Sequence, residues 1–340
     1  MAHKIAFSFT DGKTLFCSAQ GNESVLDAAL RNGIKIPLDC REGVCGTCQG
    51  RCDSGSYTQE YVDEDTLSAD DLAQRKVLTC QTRVQSDAAF SFDFDSSLCS
   101  APGTQTLTGT VCKIEQVSAG TAILHVDASA QGAALDYLPG QYARVQVPGT
   151  GHWRSYSFAA APGSSTLQFL VRLLPDGVMS NYLRERCQVG DPIELEAPLG
   201  AFYLRHVGRP LLMIAGGTGL SAFLGMLDTL AASGGTGYPV TLFYGVRKAA
   251  DICEVARLEA FKASIPGFTY EVVVSDAEPE WTGKTGYVDA SLEHQKLRDF
   301  AHDIYICGPP PMVESIKAWH TRHELAGSPV YLEKFTESNT

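Results

Sequence analysis

The sequence predicts three regions of different class in succession: a mixed α+β region, an all-β region and an α/β region. Three observations carry that prediction. Five of the eleven cysteines crowd between positions 40 and 80. A middle stretch of short alternating segments is punctuated by Pro-Gly pairs. The last third alternates apolar strands with helical patterns joined through glycine-rich turns. The expected divisions are 1–97, a linker at 98–105, 106–206 and 207–340, in keeping with the two or three domains that 340 residues imply.

Hydrophobic residues make up 44% and charged residues 19% of the chain, ordinary values for a folded protein. No apolar run approaches the roughly 18 residues of a spanning helix. The opening Met1-Ala2-His3-Lys4-Ile5 begins no apolar leader core, so secretion is not expected and a cytoplasmic location is. A net charge of −12 disfavours non-specific nucleic-acid binding, which needs a basic face. The odd cysteine count in so long a chain does not read as a small disulfide scaffold; clustered cysteines in a reducing compartment point to metal.

In the first region, residues 5–9 alternate through Ile5, Phe7 and Phe9, and Asp11-Gly12 supplies a hairpin turn before a second strand from Thr14. Residues 24–32 read as a helix with Val25, Leu26, Ala29 and Leu30 on one face and Gly33 as its stop. Next comes Cys40-x4-Cys45-x2-Cys48, with Cys80 far downstream. This is the plant-type spacing for a [2Fe–2S] cluster: three thiolates from one loop wrapped over the iron, the fourth from a distant segment. Gly43 and Gly46 let the backbone approach closely and turn its N–H groups toward sulfur. A zinc site would more often pair two C-x2-C units, and the second is missing. Cys52 reads as a small buried residue. The segment resembles the β-grasp fold of plant-type ferredoxins over about the first 95 residues.

The second region follows a low-hydrophobicity stretch holding Pro102 and Gly103. Segments 107–117, 121–126, 141–147, 153–158 and 167–173 alternate between turns at Pro139-Gly140, Pro148-Gly149 and Pro162-Gly163, which predicts an antiparallel β-barrel or sandwich. Within it stand Arg154-Ser155-Tyr156-Ser157 and, later, Gly177-Val178-Met179-Ser180 ahead of a helical pattern at 181–186. Taken alone, the first is an ordinary polar strand and the second an ordinary helix start. Their order and spacing resemble the ferredoxin–NADP reductase family, whose flavin domain, a β-barrel, carries Arg-x-Tyr-Ser/Thr and a later Gly-x-x-Ser. The resemblance implies that Arg154 pairs with the flavin pyrophosphate. It implies that Tyr156 stacks on the isoalloxazine and that Ser157 lies near its N5. Val171 would line the same site, and Gly177 to Ser180 would offer backbone N–H groups to phosphate.

The third region opens with a continuous apolar strand at 210–215, then Gly216-Gly217-Thr218-Gly219 and a helix at 220–230. Further strands are expected at 240–244, 270–274 and 304–306, and a helix at 249–263. This pattern predicts a doubly wound parallel sheet with its ligand crevice at the strands' carboxyl ends. The 216–219 glycines depart from the G-x-G-x-x-G fingerprint and could be a tight strand-to-helix turn. Sharper is Cys307-Gly308-Pro309-Pro310-Pro311-Met312 directly after an apolar strand, which matches the C-G-P-x-x-M turn of the same reductase family. The resemblance places Cys307 near the nicotinamide and makes Gly308 and Pro309 cofactor-binding residues, with Tyr244-Gly245-Val246-Arg247 at the pyridine-nucleotide strand end. It gives Phe335 to the other flavin face and Glu333 to the proton or hydride path. Ser157, Cys307 and Glu333 are thereby the catalytic candidates, and Cys40, Cys45, Cys48 and Cys80 the metal ligands.

A hydride donor delivers two electrons and a plant-type cluster accepts one, so a flavin is the converter between them. The order of the regions is therefore a route: NADH to FAD to [2Fe–2S] to an external acceptor. The whole arrangement resembles the reductase components of bacterial oxygenases, within them the benzoate 1,2-dioxygenase group with its toluate and anthranilate relatives. That resemblance implies a Rieske-type terminal oxygenase as partner, and FAD and NADH as cofactors. Arg247 and Lys248 could meet a 2′-phosphate, but Asp251 and Glu254 follow closely. Two rival readings stand beside it: the reductase of a phenol- or methane-type monooxygenase, and a redox-sensing binding protein, against which count the missing helix-turn-helix pattern and basic patch. Residues 1–100 hold 15 acidic and 9 basic side chains, and Glu60, Asp63, Glu64, Asp65, Asp70 and Asp71 form a run expected either to face a basic partner or to be a solvated loop.

Overall fold

The computed structural model describes residues 2–100, 103–131 and 135–335. The chain divides into two compact units, residues 1–104 with 199–201, and residues 105–198 with 202–340.

In the first unit, β1 (His3–Ser8), β2 (Thr14–Ala19), α1 (Val25–Arg31), β3 (Gln49–Ser54), β4 (Tyr57–Gln59), α2 (Ala69–Ala73), β5 (Lys76–Leu78), β6 (Thr82–Val84) and β7 (Ala88–Ser91) follow in order. The sheet runs β2-β1-β7-β3-β5, with β4 and β6 as a separate ribbon. Strand β1 pairs antiparallel with β2 and parallel with β7. Its period-two pattern puts Ile5 and Phe7 wholly inside, where Phe7, Phe9, Phe92 and Phe94 form a chain of ring contacts. Helix α1 starts at Ser24, whose hydroxyl accepts from the Asp27 N–H, and buries Val25, Leu26, Ala28 and Ala29. Residues Ser96–Cys99 form a short 3-10 turn that buries Cys99 and whose last carbonyl accepts from the Lys35 N–H. The expected linker thus begins inside packed structure; its Pro102 lies outside the described residues.

The second unit begins with β8 (Gln105–Ser118), β9 (Thr121–Asp127), β10 (Tyr142–Gln146), β11 (Trp153–Ser157), β12 (Thr166–Arg172), α3 (Val178–Glu185) and β13 (Pro192–Leu199). The sheet order is β11-β10-β13-β8-β9-β12. One antiparallel bridge, Phe158 with Phe169, brings the two outer strands together. Strand β13 was not among the expected strands, although Ile193, Leu195 and Ala197 alternate inward in the ordinary way. Helix α3 starts at Val178, three residues before the expected 181, because Gly177 already serves as its N-cap.

The rest comprises β14 (Leu211–Gly216), α4 (Leu220–Ala232), β15 (Val240–Val246), α5 (Val255–Ser264), β16 (Phe268–Val274), β17 (Lys284–Thr285), α6 (Val288–Ser291), α7 (His294–Asp299), β18 (Asp303–Gly308), α8 (Pro310–Arg322) and β19 (Val330–Lys334). Its sheet, β17-β16-β15-β14-β18-β19, is parallel throughout. Every residue of β14 is buried. Met213 and Ala215 pack into one core with α4 and α5, while Leu212 and Ile214 pack into another with Val313, Ile316 and Trp319 of α8. Apolar residues on both faces explain the continuous hydrophobic run.

The expected helix at 249–263 is broken. A 3-10 turn covers Ala249–Asp251, with the Asp251 carboxylate accepting from the Lys248 N–H at 3.2 Å. Ile252 is extended, Glu254 is left-handed at φ 59°, and α5 starts only at Val255. A local side-chain bond to backbone, with Cys253 turned inward beneath Tyr244, wins over helix propensity here.

Candidate functional site

Cys40, Cys45 and Cys48 lie on the loop between α1 and β3, and Cys80 on the turn between β5 and β6. Gly43 sits at φ 83°, and a Cβ there would run into the Tyr61 carbonyl. The loop is held from outside: Asp63 N–H donates to Gly43 O at 3.1 Å, and Thr66 Oγ1 to Val44 O at 2.8 Å. The thiols form two pairs, Cys40 with Cys45 and Cys48 with Cys80. Cys45 Sγ and backbone N–H groups, Glu42 among them at 3.3 Å, push the Cys40 thiol down to about 5. The hydrogen bond from Cys48 likewise holds Cys80 below the ordinary thiol range, while Cys45 and Cys48, the donors, are pushed up.

Among the described residues, no group of three or more His, Cys, Asp or Glu side chains is arranged to hold a single ion. Two thiol pairs instead suit two irons, each taking two thiolates, and backbone N–H groups aimed at sulfur suit a negatively charged cluster. The donor set therefore fits. Cys52 is buried beside Ser54 O and Arg75 Nη2, each 3.2 Å from its sulfur.

In the second unit, Arg154, Tyr156 and Ser157 all lie on β11, which pairs with β10. Ser157 is buried; its Oγ stands 3.4 Å from Glu333 Oε2 on β19, and its carbonyl accepts from Ser221 Oγ at 2.7 Å. Arg154 Nη1 donates to the Trp153 carbonyl at 2.7 Å. Tyr156 is half-buried, which pushes its phenol up, and Val171 is buried on β12. The Gly177 N–H donates to Leu174 O at 3.4 Å, and as N-cap Gly177 brings no side-chain cap to α3, a helix start of the kind that offers its N–H groups at Val178 and Met179 to a phosphate. The Ser180 hydroxyl is otherwise engaged: it donates to Arg172 O and accepts from Leu174 N–H, so it ties the turn to β12.

At the carboxyl ends of β14 and β18 the backbones almost touch. A Cβ on Gly219 would run into the Cys307 carbonyl, and one on Gly216 would come within 2.8 Å of both Pro309 and Met312. Gly217 and Thr218 lie in the same 3-10 turn, and Gly308 ends β18 just before Pro309, the N-cap of α8. Strand order reverses here, with β15 on one side of β14 and β18 on the other, which opens a crevice at the strand ends. Cys307 is fully buried in register with Ala215 and Glu333; burial first, then the Glu333 charge, pushes its thiol far above the ordinary range. Phe335 follows β19, its N–H donating to Gly308 O at 2.9 Å. Arg247, exposed at the end of β15, lies 3.7 Å from Asp276.

The acidic run is not one surface. Asp71 is buried, caps α2 through Ser68 and pairs with Lys76 at 2.7 Å, because a helix start and a neighbouring cation claim it. Glu60 faces Arg83 at 3.2 Å. Residues that sequence reasoning passed over hold β11 to the nucleotide side: Ser221, Gly225, where a Cβ would meet the Phe158 and Ala160 carbonyls at 2.9 and 2.8 Å, and Arg257, which donates to Ala159 O and to Asp228. No local signal marks them, since each acts on a strand far away in sequence.

Residues 8–85 match the 2Fe-2S iron-sulfur cluster binding domain, 108–203 the oxidoreductase FAD-binding domain and 213–318 the oxidoreductase NAD-binding domain. The chain is 56% identical to the anthranilate 1,2-dioxygenase electron transfer component of Acinetobacter baylyi, over 100% of this chain and 99% of that one. The chain belongs to the ferredoxin-type reductases that act as electron transfer components. Another such reductase, the toluate 1,2-dioxygenase electron transfer component of Pseudomonas putida, is 42% identical over 99% of this chain and all of that one. The crystal structure of the Amycolatopsis cytochrome P450 reductase matches with a TM-score of 0.70 at 30% identity, covering 98% of this chain and 99% of that one. This ferredoxin-type reductase binds a [2Fe–2S] cluster, FAD and NAD, and it carries electrons from NADH through the flavin to the cluster. A bound flavin would supply the conversion between a two-electron hydride donor and a one-electron acceptor. For the protein's part, buried Ser157 and Cys307 flank the half-buried Glu333 where β11 meets the ends of β18 and β19.

Proposed function

We propose that this reductase supplies electrons to the Rieske-type terminal oxygenase of a dioxygenase acting on an aromatic acid, of the kind for which its anthranilate, toluate and 2-halobenzoate relatives are named. The observation that carries this is full-length likeness at 40–56% identity to three electron transfer components of such dioxygenases. Benzoate itself is one member of the substrate group, and anthranilate has the greater support from identity. The cofactors sit in three domains, 1–97, 106–206 and 207–340: a β-grasp ferredoxin, an antiparallel flavin-binding barrel and a doubly wound nucleotide domain. Cys40, Cys45, Cys48 and Cys80 hold the cluster. Arg154, Tyr156, Ser157, Val171, 177–180 and Phe335 hold FAD, and 216–219, Arg247 and 307–309 hold NADH, with Ser157, Cys307 and Glu333 at the hydride path. The protein works in the cytoplasm, in keeping with a cysteine cluster read as metal ligands rather than disulfides.

An anaerobic NADH titration of the purified holoprotein, followed by visible absorption and low-temperature EPR, tests the route. Bleaching of the flavin band with a rhombic [2Fe–2S] signal supports it; bleaching without that signal overturns the ligand assignment. Reconstitution with purified terminal oxygenases for anthranilate, toluate and benzoate, and with a phenol-type hydroxylase, then tests the partner. Turnover with the hydroxylase alone would overturn the dioxygenase reading.

A further inference from the structure

Cys80 comes to the cluster loop from a separate turn, and its two neighbours hold opposite ends of that loop. Thr79 donates to the Cys48 carbonyl twice, from its backbone N–H at 3.1 Å and its hydroxyl at 3.0 Å. Gln81 reaches the other end: its Nε2 donates to the Arg41 carbonyl at 2.8 Å, directly after Cys40. We propose that Gln81 is a positioning residue for the iron–sulfur centre, a side-chain bridge from the Cys80 segment to the start of the three-cysteine loop that holds the four sulfurs in place and tunes their potential. This rests on the four-cysteine reading given above.

Three features of the site support it. Gln81 is itself anchored, its N–H donating to Leu78 O at 2.9 Å and its carbonyl accepting from Glu60 N–H at 2.8 Å, so the amide swings from a fixed base. Its target needs holding. Arg41 is a non-glycine residue at φ 61°, gripped at its guanidinium by Asp27 at 2.9 Å and at its carbonyl by Gln81. The Gln81 stem also fills the space beside Gly43, 3.1 Å from where a Cβ would stand, so the turn and the bridge fit one another.

The amide carries two N–H donors, and one serves Arg41. The Arg41 carbonyl and the Glu42 N–H belong to one peptide unit, and that N–H donates to Cys40 Sγ at 3.3 Å, so the bridge fixes a donor on a ligand sulfur. An N–H directed at a ligand sulfur favours the more negative, reduced cluster, so loosening that peptide unit lowers the reduction potential. Thr79 and Gln81 then differ in a testable way. Removing the Thr79 hydroxyl leaves its backbone bond to Cys48 O, whereas the Gln81 bridge exists only through the side chain.

The test is an EPR-monitored redox titration of the full-length holoprotein as wild type, Gln81→Met and Thr79→Val, with iron and flavin content measured on each. In Gln81→Met the ratio of reduced to oxidised cluster at a set potential falls about tenfold, ~59 mV for one electron, and the EPR line shape changes. Thr79→Val shifts by less than half as much, because its backbone N–H still holds Cys48 O. Should Gln81→Met fail to load iron while Thr79→Val loads it and flavin content is unchanged in both, the positioning role is supported. A wild-type potential and signal in Gln81→Met overturns the proposal, as does an equal shift in both variants or a failure of both to load. A wild-type protein with no [2Fe–2S] signal at all is the separate failure of the four-cysteine reading.

Discussion

At the residue scale, two substitutions separate the cluster loop's chemistry from its backbone. Cys80→Ser removes one thiolate of the Cys48 pair and leaves the second unit's cofactor residues untouched. Its expected outcome is loss of the iron–sulfur EPR signal and of cytochrome c reduction, with NADH-driven ferricyanide reduction retained; an assay of all three on one preparation checks it. Gly43→Ala leaves every ligand in place but forces a Cβ against the Tyr61 carbonyl at φ 83°. The strain costs about 1–3 kcal/mol, read as a lower thermal midpoint and reduced iron content. The residue types in this loop were legible from sequence because ligand spacing is a local property. Gln81, Ser221 and Arg257 were not, because each matters through a bond to a backbone group 40 to 98 positions away.

At the scale of elements, α1 ties helix capping to the cluster loop. Ser24 Oγ donates to Asp27 at 2.7 Å and accepts from its N–H, while the same carboxylate grips Arg41. Ser24→Ala should cost about 1 kcal/mol at neutral pH. The hydrogen bond from Ser24, and then Arg41, hold the Asp27 carboxyl below its ordinary 3.8. A depressed folded value stabilises above the unfolded value and is lost as pH falls through the folded one, so the gap between wild type and Ser24→Ala should narrow below about pH 4. Denaturant unfolding at pH 7 and pH 3 checks this. Elements defined by period and caps were readable: β1, α1, β14 and α4 lie where alternation and glycine stops put them. The helix at 249–263 was not, because the bond from Lys248 N–H to Asp251 and the inward turn of Cys253 depend on β15 beneath them.

On the scale of the whole molecule, the charge of −12 bears on the encounter with an oxygenase. With Asp71 buried and Glu60 facing Arg83, the acidic run that remains is Asp63, Glu64, Asp65 and Asp70. If these meet a basic partner, electron delivery to the oxygenase should slow as ionic strength rises from about 20 mM to about 500 mM, where the screening length shrinks several-fold. Stopped-flow cluster oxidation checks it, and an unchanged rate would assign these residues to solvent. The succession of three classes along the chain could be read from patterning alone; that residues 199–201 group with the first unit could not, because that grouping rests on contacts between residues far apart in sequence.

The contacts of α4 bear on how such reductases can be rebuilt. Ser221 and Gly225 of that helix meet the backbone of residues 157–160, and Arg257 of α5 joins them. A chimera spliced between the flavin barrel and the nucleotide sheet would cut through this seam, so that an otherwise compatible donor with alanine at position 225 would push the flavin strand off its seat. Grafts meant to change nucleotide preference should therefore leave α4 with its native barrel and begin at β15.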